Sequence, residues 1–377
     1  MKILHVIDSA GLYGAEMMLL NLAQEQAKIG HHPVIASIRE KDEFDMPLEE
    51  EAYRRALDTV TFRMLDGPNI FGAWSLLRYS QAGKFDIIHS HGYKGNILLG
   101  FMPRSIRKTP LICTVHGWTS TNTWSMIKLY EWADSLSHKY LDAVVLVHKA
   151  MLDHPSFARK RISKVFVVNN GIPSHSPEDF ESASCISSPM HEKILEFCSR
   201  SRTIGAIGRL SPEKGFDILL EAFHAMIEKG YDLNLIIVGD GPERRKLEEI
   251  IARRKMNDRV FLPGYVAQAS RYLKHFSVFV ISSLTEGLPI TLLEAMRAGV
   301  PVVSTRVGGI EEVLGGGSAG ILVDPRNSVK LAEGMCTLIC DDELADNLSK
   351  RAEERFINNY SSKIMAENYI HVYNDIV

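Results

Sequence analysis

The chain has 377 residues, 45% of them hydrophobic and 24% charged, with a formal net charge of −3. That composition belongs to a soluble globular protein, and the length exceeds one ordinary core, so two domains are expected. No run approaches the roughly 18 apolar residues that would span a membrane. The charge is unevenly spread: residues 94–172 carry eleven Lys and Arg against four Asp and Glu, a local +7 that leaves −10 for the rest. Such a segment fits an anionic partner held on one face, or a solvated basic surface. The five cysteines, Cys113, Cys185, Cys198, Cys336 and Cys340, make no metal spacing. An odd count without a secretory signal points to a reducing, cytoplasmic compartment. The opening MKILHVIDSAG, stopped at Asp8, reads as a first strand and not as a leader.

In chain order, KILHVID (2–8) is a buried strand, followed by the glycine turn SAGLYGAE and a helical pattern through Met17, Leu20, Leu22, Ala23 and Ala27. HPVIASI (32–38), FDIIHSH (85–91), PLICTVHG (110–117), DAVVLVH (142–148) and KVFVVNNG (164–171) are further strands, most of them separated by helix-length stretches. Pro and Ser clusters in 172–192 break the pattern and read as a linker or exposed loop. The alternation then restarts with TIGAIGRL (203–210), a helix ending at Gly230, and LNLIIVGDGP (233–242), where Pro242 suits a first helical position. RVFLPGY, FSVFVISS, VPVVST and AGILVDP complete a second set of strands. Alternating strands and helices predict an α/β fold with parallel sheets covered on both faces. Two doubly wound, Rossmann-like domains in tandem would face a central cleft and bind ligands at the carboxyl ends of their strands. The last stretch, SSKIMAENYIHVYNDIV, has an amphipathic helical pattern and is expected to cross back onto the first domain.

The stretch SLTEGLPITLLEAMRAGVPVVST (283–305) carries two glutamates separated by seven residues, Glu286 and Glu294. With Pro289 at N1 and Gly299 past the end, the helix covers about 289–298. Glu286 then lies in the turn before it, and Glu294 lies mid-helix among apolar neighbours, where a charge must face water or a polar ligand. A helix N-terminus offers open N–H groups to phosphate oxygens. Glu294 could accept from a ribose diol and Glu286 could reach hydroxyls beyond the phosphates, over about 10 to 15 Å at 1.5 Å per residue. The plain alternative is a capping Glu286 and an exposed Glu294.

EGLPITLLE resembles the E-x7-E motif of retaining GT-B glycosyltransferases, in particular glycosyltransferase family 4. GLYGAE, VHG, NNGI, GRLSPEKGFDILLEAF, LIIVGDGP, LPGYV, GVPVVSTRVGG and GILVDP match that family in order and spacing over nearly the whole chain. The resemblance implies a GT-B fold. Residues 1–172 would form an acceptor-binding domain with helix 360–377 packed on it, 173–200 a linker, and 201–359 a nucleotide-sugar-binding domain. It implies transfer of a hexosyl unit from a nucleotide diphosphate sugar to an acceptor hydroxyl with retained anomeric configuration, no required cofactor or metal, and no nucleic-acid partner. A UDP-sugar is favoured over a GDP-sugar, and the product would serve cell-surface polysaccharide or glycolipid synthesis.

The same resemblance implies residue roles. His116 and Glu286 would stand at the reaction centre, positioning the donor sugar without forming a covalent intermediate. Arg209 and Lys214 would neutralise the leaving diphosphate, one as a planar fork and one as a point charge. Glu294 would hold the ribose, Gly264, Tyr265 and Val266 the base, and Gly287, Leu288, Pro289 and Ile290 the phosphate-facing turn. Gly11 and Gly14 would form the acceptor and phosphate loop, although Tyr13 replaces the first of the family's usual paired glycines. The basic segment 94–172, with Trp124, Leu129 and Trp132, suits peripheral docking on an anionic inner membrane face. Competing readings are a non-catalytic nucleotide-sugar-binding protein, an epimerase of the same fold, and a nicotinamide dehydrogenase. The first glycine turn lacks the G-x-G-x-x-G that the dehydrogenase needs.

Overall fold

Buried parallel strands need apolar side chains on both faces, and the continuous apolar runs of the sequence become such strands. The computed structural model describes residues 1–8, 11–12, 14–40, 46–64, 69–116, 126–153, 164–174 and 188–377, the side chains of 40, 126–129 and 153 excepted. It divides into one unit of Met1–Pro173 with Ser361–Val377 and a second of Ser174–Tyr360.

The first unit runs β1 (Lys2–Asp8), α1 (Gly14–Lys28), β2 (His32–Glu40), α2 (Pro47–Arg54), β3 (Asp58–Met64), α3 (Ile70–Ala82), β4 (Ile87–Ser90), α4 (Tyr93–Gly100), α5 (Arg104–Arg107), β5 (Leu111–Val115), α6 (Met126–Ser137), β6 (Ala143–Leu146) and β7 (Val165–Val167). Its strands lie in the order β3-β2-β1-β4-β5-β6-β7, every pair parallel. The reading of the sequence passed over β3. This edge strand alternates Asp58, Thr59, Thr61 and Arg63 with apolar residues and buries fully only Met64, so it lacks the apolar run that marks its neighbours.

The second unit runs α7 (Pro189–Ser199), β8 (Arg202–Ile207), α8 (Phe216–Glu228), β9 (Leu233–Val238), α9 (Arg244–Arg253), β10 (Val260–Gly264), β11 (Val278–Ile281), α10 (Ile290–Arg297), β12 (Val302–Thr305), α11 (Ile310–Val313), β13 (Ile321–Val323), α12 (Ser328–Cys340) and α13 (Asp342–Asn359). Its sheet order is β10-β9-β8-β11-β12-β13, again parallel. Gly230 (φ +87°) and Gly299 (φ +63°) follow the ends of α8 and α10 in left-handed conformations, where a Cβ is unfavourable. Two boundaries differ from expectation. Pro289 has an extended ψ of 127° and stands at the N-cap of α10, not at N1. Pro242 lies in the turn before α9, whose N-cap is Glu243.

The last helix, α14 (Ser362–Asn374), belongs to the first unit. Its Met365, Ala366, Tyr369, Val372 and Tyr373 share one core with Ile3, Met18, Leu22, Ile87 and Ile112. The Ser362 N–H donates to Ile172 O at 2.8 Å. Gly171 lies so near that a Cβ there would meet the Ser361 carbonyl oxygen at 2.5 Å.

Glycine is obligatory at one further turn. Gly239, after β9, has φ +149°, and an added Cβ would lie 1.9 Å from the Gly208 oxygen. Gly30 has φ +86° but open space around it. Gly239→Ala should therefore destabilise the protein by about 3 kcal/mol or more, and Gly30→Ala by about 1 kcal/mol, the left-handed strain alone. Urea titration of both variants checks the contrast, and equal midpoints would refute it.

Candidate active site

In the second unit β9 and β11 lie on opposite sides of β8, so the chain switches direction across the sheet at β8 and β11. Loops from those two strands leave the same edge, the usual crevice for ligands in such a sheet. The loop after β8 holds Lys214 on a short 3-10 turn, Pro212–Lys214. Gly215 follows at φ +60°, and a Cβ there would meet Ser282 O at 2.4 Å, so a glycine lets the two loops touch. They are stitched together: Ser282 Oγ donates to Lys214 O at 2.9 Å, and the Leu284 N–H donates to Glu213 O at 2.7 Å.

That contact brings two predicted residues into an ion pair. Lys214 Nζ lies 2.5 Å from Glu286 Oε1, with the side chains 24% and 12% exposed. Ser283 Oγ donates to the same carboxylate oxygen at 2.7 Å, and Thr305 Oγ1 donates to Ser283 O at 2.7 Å. From the other side the Gly309 N–H donates to Gly287 O at 2.8 Å. Gly308 (φ +54°) packs so close that a Cβ would sit 2.0 Å from Glu286 O. A shielded charge pair attracts more strongly than one in water, and these hydrogen bonds fix it in place.

Leu288 and Pro289 are buried, and Gly287 and Ile290 are partly open. No side chain caps the N-terminus of α10 among the described residues; the Leu292 N–H bonds Pro289 O at 3.1 Å, so the Ile290 and Thr291 amides are the ones that face an anion. Glu294 is half-buried on the face that also carries Ile290 and Thr291, while Leu292, Leu293, Ala295 and Met296 are buried. At the same edge of the sheet, Arg209 is exposed beyond β8. Gly264 closes β10 at φ +87° and accepts the Gly239 N–H at 2.9 Å. Tyr265 next to it is 75% exposed, and Val266 is half-buried. The structure thus brings Lys214 and Glu286 into contact, sets Arg209 and Gly264–Val266 along the same edge, and puts Glu294 on the following helix.

In the first unit His116 follows β5. Gly11 is half-buried in the bend after β1 and Gly14 opens α1. Tyr13 and Trp124 lie outside the described residues, as does the side chain of Leu129; Trp132 is 62% exposed. Reading the sequence did not single out a set of buried histidines beside His116. His5 on β1 and His89 on β4 are registered neighbours, and His91 follows β4. The His91 and His116 ring centroids are 5.8 Å apart. The available signal was HSH (89–91), two imidazoles on one face of an otherwise apolar strand.

The ligand atoms of His5, His89 and His91 all lie within 4.8 Å of one another, the spacing of a metal cluster. Five of their six nitrogens, all but His91 Nδ1, are nevertheless engaged by protein. His5 Nδ1 meets His91 Nε2 at 3.0 Å and His5 Nε2 meets Gln26 Oε1 at 2.8 Å. His89 Nδ1 meets Tyr373 Oη at 2.7 Å and His89 Nε2 meets Thr114 Oγ1 at 2.7 Å. Hydrogen bonds account for this donor set without an ion. Burial holds His5 and His116 down to about 4. It holds His89 and His91 well below the ordinary imidazole value, helped by their neighbouring histidines. All four are neutral at pH 7. Asp8, at the end of β1, is open to solvent yet crowded by protein on most sides. That crowding, with Glu16 and Asp134 nearby, raises its carboxyl to about 6 against the pull of Lys94.

Comparison with known proteins adds two family matches. The family described as Glycosyltransferase Family 4 matches residues 13–175, and Glycosyl transferases group 1 matches residues 189–355. The 2-deoxystreptamine N-acetyl-D-glucosaminyltransferase of Niallia circulans is 26% identical, over 80% of this chain and 78% of its own. The UDP-Gal:alpha-D-GlcNAc-diphosphoundecaprenol alpha-1,3-galactosyltransferase of Escherichia coli is also 26% identical, over 80% and 79%. Among solved structures, Anabaena Alr3699/HepE in complex with UDP superposes with a TM-score of 0.81 at 19% identity, covering 100% of both chains. Staphylococcus aureus TarM, with UDP bound, gives 0.78 at 14%, covering 99% of both. At these identities the superpositions establish the fold, which is GT-B.

The neutral histidines make stability depend on pH. Each imidazole has a folded pKa below its ordinary 6.5, so the unfolded chain takes up protons first on acidification. Their contribution is complete above pH 6.5 and is lost as pH falls toward 4. His5 and His116 should each remove about 2 kcal/mol by pH 5, while the raised Asp8 carboxyl works in the opposite direction. The expected result is a urea midpoint that drops between pH 7 and 5; a steady or rising midpoint would mean that these rings are protonated in the fold.

Proposed function

The chain belongs to glycosyltransferase family 4, and from that premise we propose that it transfers a hexosyl unit from a nucleoside diphosphate sugar to an acceptor hydroxyl, with retained anomeric configuration and no metal. UDP is the favoured nucleotide and GDP the second, since the bound nucleotide named for two structural neighbours is UDP. The acceptor is a saccharide, a lipid-linked acceptor or a small molecule, and the product serves cell-surface polysaccharide or glycolipid synthesis. The observation that carries this reading is the Lys214–Glu286 pair at the switch point, beside the uncapped start of α10.

Lys214 and Arg209 meet the diphosphate, joined by the first amides of α10. As the anomeric carbon–oxygen bond breaks, negative charge grows on the leaving phosphate, and these donors are already in place to receive it. Glu286 is then relieved of its lysine and accepts hydroxyls of the donor sugar, while Glu294 accepts the ribose diol. Gly264–Val266 border the base. The acceptor oxygen attacks from the face the phosphate leaves, and its proton passes to the departing phosphate oxygen. His116, being neutral, contributes hydrogen bonding and orientation. Gly11 and Gly14 border the acceptor side.

Peripheral membrane docking belongs to the same reading. No helix among the described residues is long and apolar enough to cross a membrane. The first unit does leave Phe71, Trp74, Phe101, Ile106 and Tyr140 in solvent, with Arg78, Arg104, Lys108 and Lys139 also exposed. Aromatic and basic side chains together suit an anionic bilayer surface.

Release of UDP from UDP-sugars, with and without acceptor saccharides, tests the activity. Lys214→Ala and Glu286→Gln should lower turnover about 10²-fold or more with the fold retained by circular dichroism, and Glu294→Gln should chiefly raise KM for the donor. A native protein that binds UDP-sugars and never releases UDP would be a sensor. For docking, recovery with phosphatidylglycerol vesicles should exceed that with phosphatidylcholine vesicles and fall with salt; equal recovery removes the membrane from the account.

A further inference from the structure

His5, His89 and His91 of the first unit belong to one continuous hydrogen-bonded chain, and its protons can be ordered. Gln26 fixes the direction. Its Nε2 donates to Tyr373 Oη at 3.1 Å, so its Oε1 must accept from His5 Nε2 at 2.8 Å. A neutral His5 protonated on Nε2 carries a lone pair on Nδ1, which accepts from His91 Nε2 at 3.0 Å. On the other side, the Tyr373 hydroxyl accepts from Gln26 and therefore donates to His89 Nδ1 at 2.7 Å. His89 Nε2 then donates to Thr114 Oγ1 at 2.7 Å, itself 2.8 Å from Tyr369 Oη. Every internal nitrogen is used. His91 is left as the Nε2–H tautomer, with a lone pair on Nδ1.

That Nδ1 is buried and has no hydrogen-bond partner among the described residues, and the same holds for His116 Nε2. A buried polar atom left without a partner is costly. The two rings lie 5.8 Å apart, centroid to centroid, about the span of two hydrogen bonds of roughly 2.8 Å meeting at one oxygen. We propose that His91 is a positioning residue for His116, the two imidazoles sharing one hydroxyl that a saccharide supplies during transfer, with Gln26 and His5 holding His91 in the accepting tautomer. Turning the Gln26 amide over would reverse every bond and leave His91 with a buried, unpartnered N–H, which a hydroxyl could meet only as acceptor. The inference rests on the glycosyltransfer reading above and adds to it a residue that reading does not use.

Two substitutions separate the ends of the ring. Asparagine places its amide near the Nδ1 position and glutamine near the Nε2 position. His91→Asn should keep kcat within about five-fold of native, and His91→Gln should lower kcat by about 10²-fold with KM for the donor little changed, the signature of lost positioning. A structural role through the His5 bond predicts the reverse order. In parallel, ¹⁵N-histidine spectra of the native protein should show His91 protonated on Nε2 and unprotonated on Nδ1 at pH 7. The Nδ1 resonance should move when a UDP-sugar and acceptor are added. Higher activity in H91Q than in H91N, or a proton on Nδ1, overturns this inference alone. No UDP release by the native protein overturns the transfer reading and this inference with it. A shift of Nδ1 with UDP alone would assign the hydroxyl to water and not to sugar, and would also overturn it.

Discussion

Lys214 and Glu286 are 72 positions apart in the chain and 2.5 Å apart in the fold. Their meeting depends on one steric condition, that the loop after β8 can lie against the loop after β11. Gly215 meets that condition, and Gly308 lets the loop after β12 close on Glu286 from the other side, each where a Cβ would strike a carbonyl oxygen. The rest of the second site follows from this approach. Ser282, Ser283 and Thr305 pin the loops, and the pinned loops set the start of α10 beside a shielded pair of opposite charges.

The first unit solves a different problem. Its strand ends carry imidazoles inside the protein, and an imidazole in that setting stays neutral and calls for partners to its nitrogens. Partners arrive from α1, β5 and α14, so the polar chain also ties the last helix to the sheet. Apolar packing of Met365, Tyr369 and Tyr373 on Ile3 and Ile87 supplies the bulk of that attachment, while the hydroxyls of the two tyrosines set its register.

Much of this architecture was legible in the amino-acid sequence because buried parallel strands are compositionally loud. KILHVID, LNLIIV and FSVFVI could hardly be anything else. The edge strand β3 was silent because half of its side chains meet water, as Asp58, Thr59 and Arg63 do. Pro289 was misplaced by one position because N1 and N-cap differ only in a backbone angle that composition does not encode. The pairing of Lys214 with Glu286 could be anticipated as shared location but not as contact, since contact depends on loop conformation. The histidine chain was invisible for a simpler reason. Its bonded partners are separated by up to 347 positions, as Gln26 and Tyr373 are, and nothing local distinguishes a networked histidine from any other.

The return of α14 to the first unit bears on how the protein is made. During synthesis β1, β4 and β5 emerge early, but the tyrosines that complete their polar interior are encoded long after the second sheet has been translated. Domains tend to fold as they leave the ribosome, so the second unit can mature while the first still holds unsatisfied imidazoles. The order of maturation is thereby inverted relative to the order of translation: the earliest residues wait for residues 362–374 before their own interior is finished.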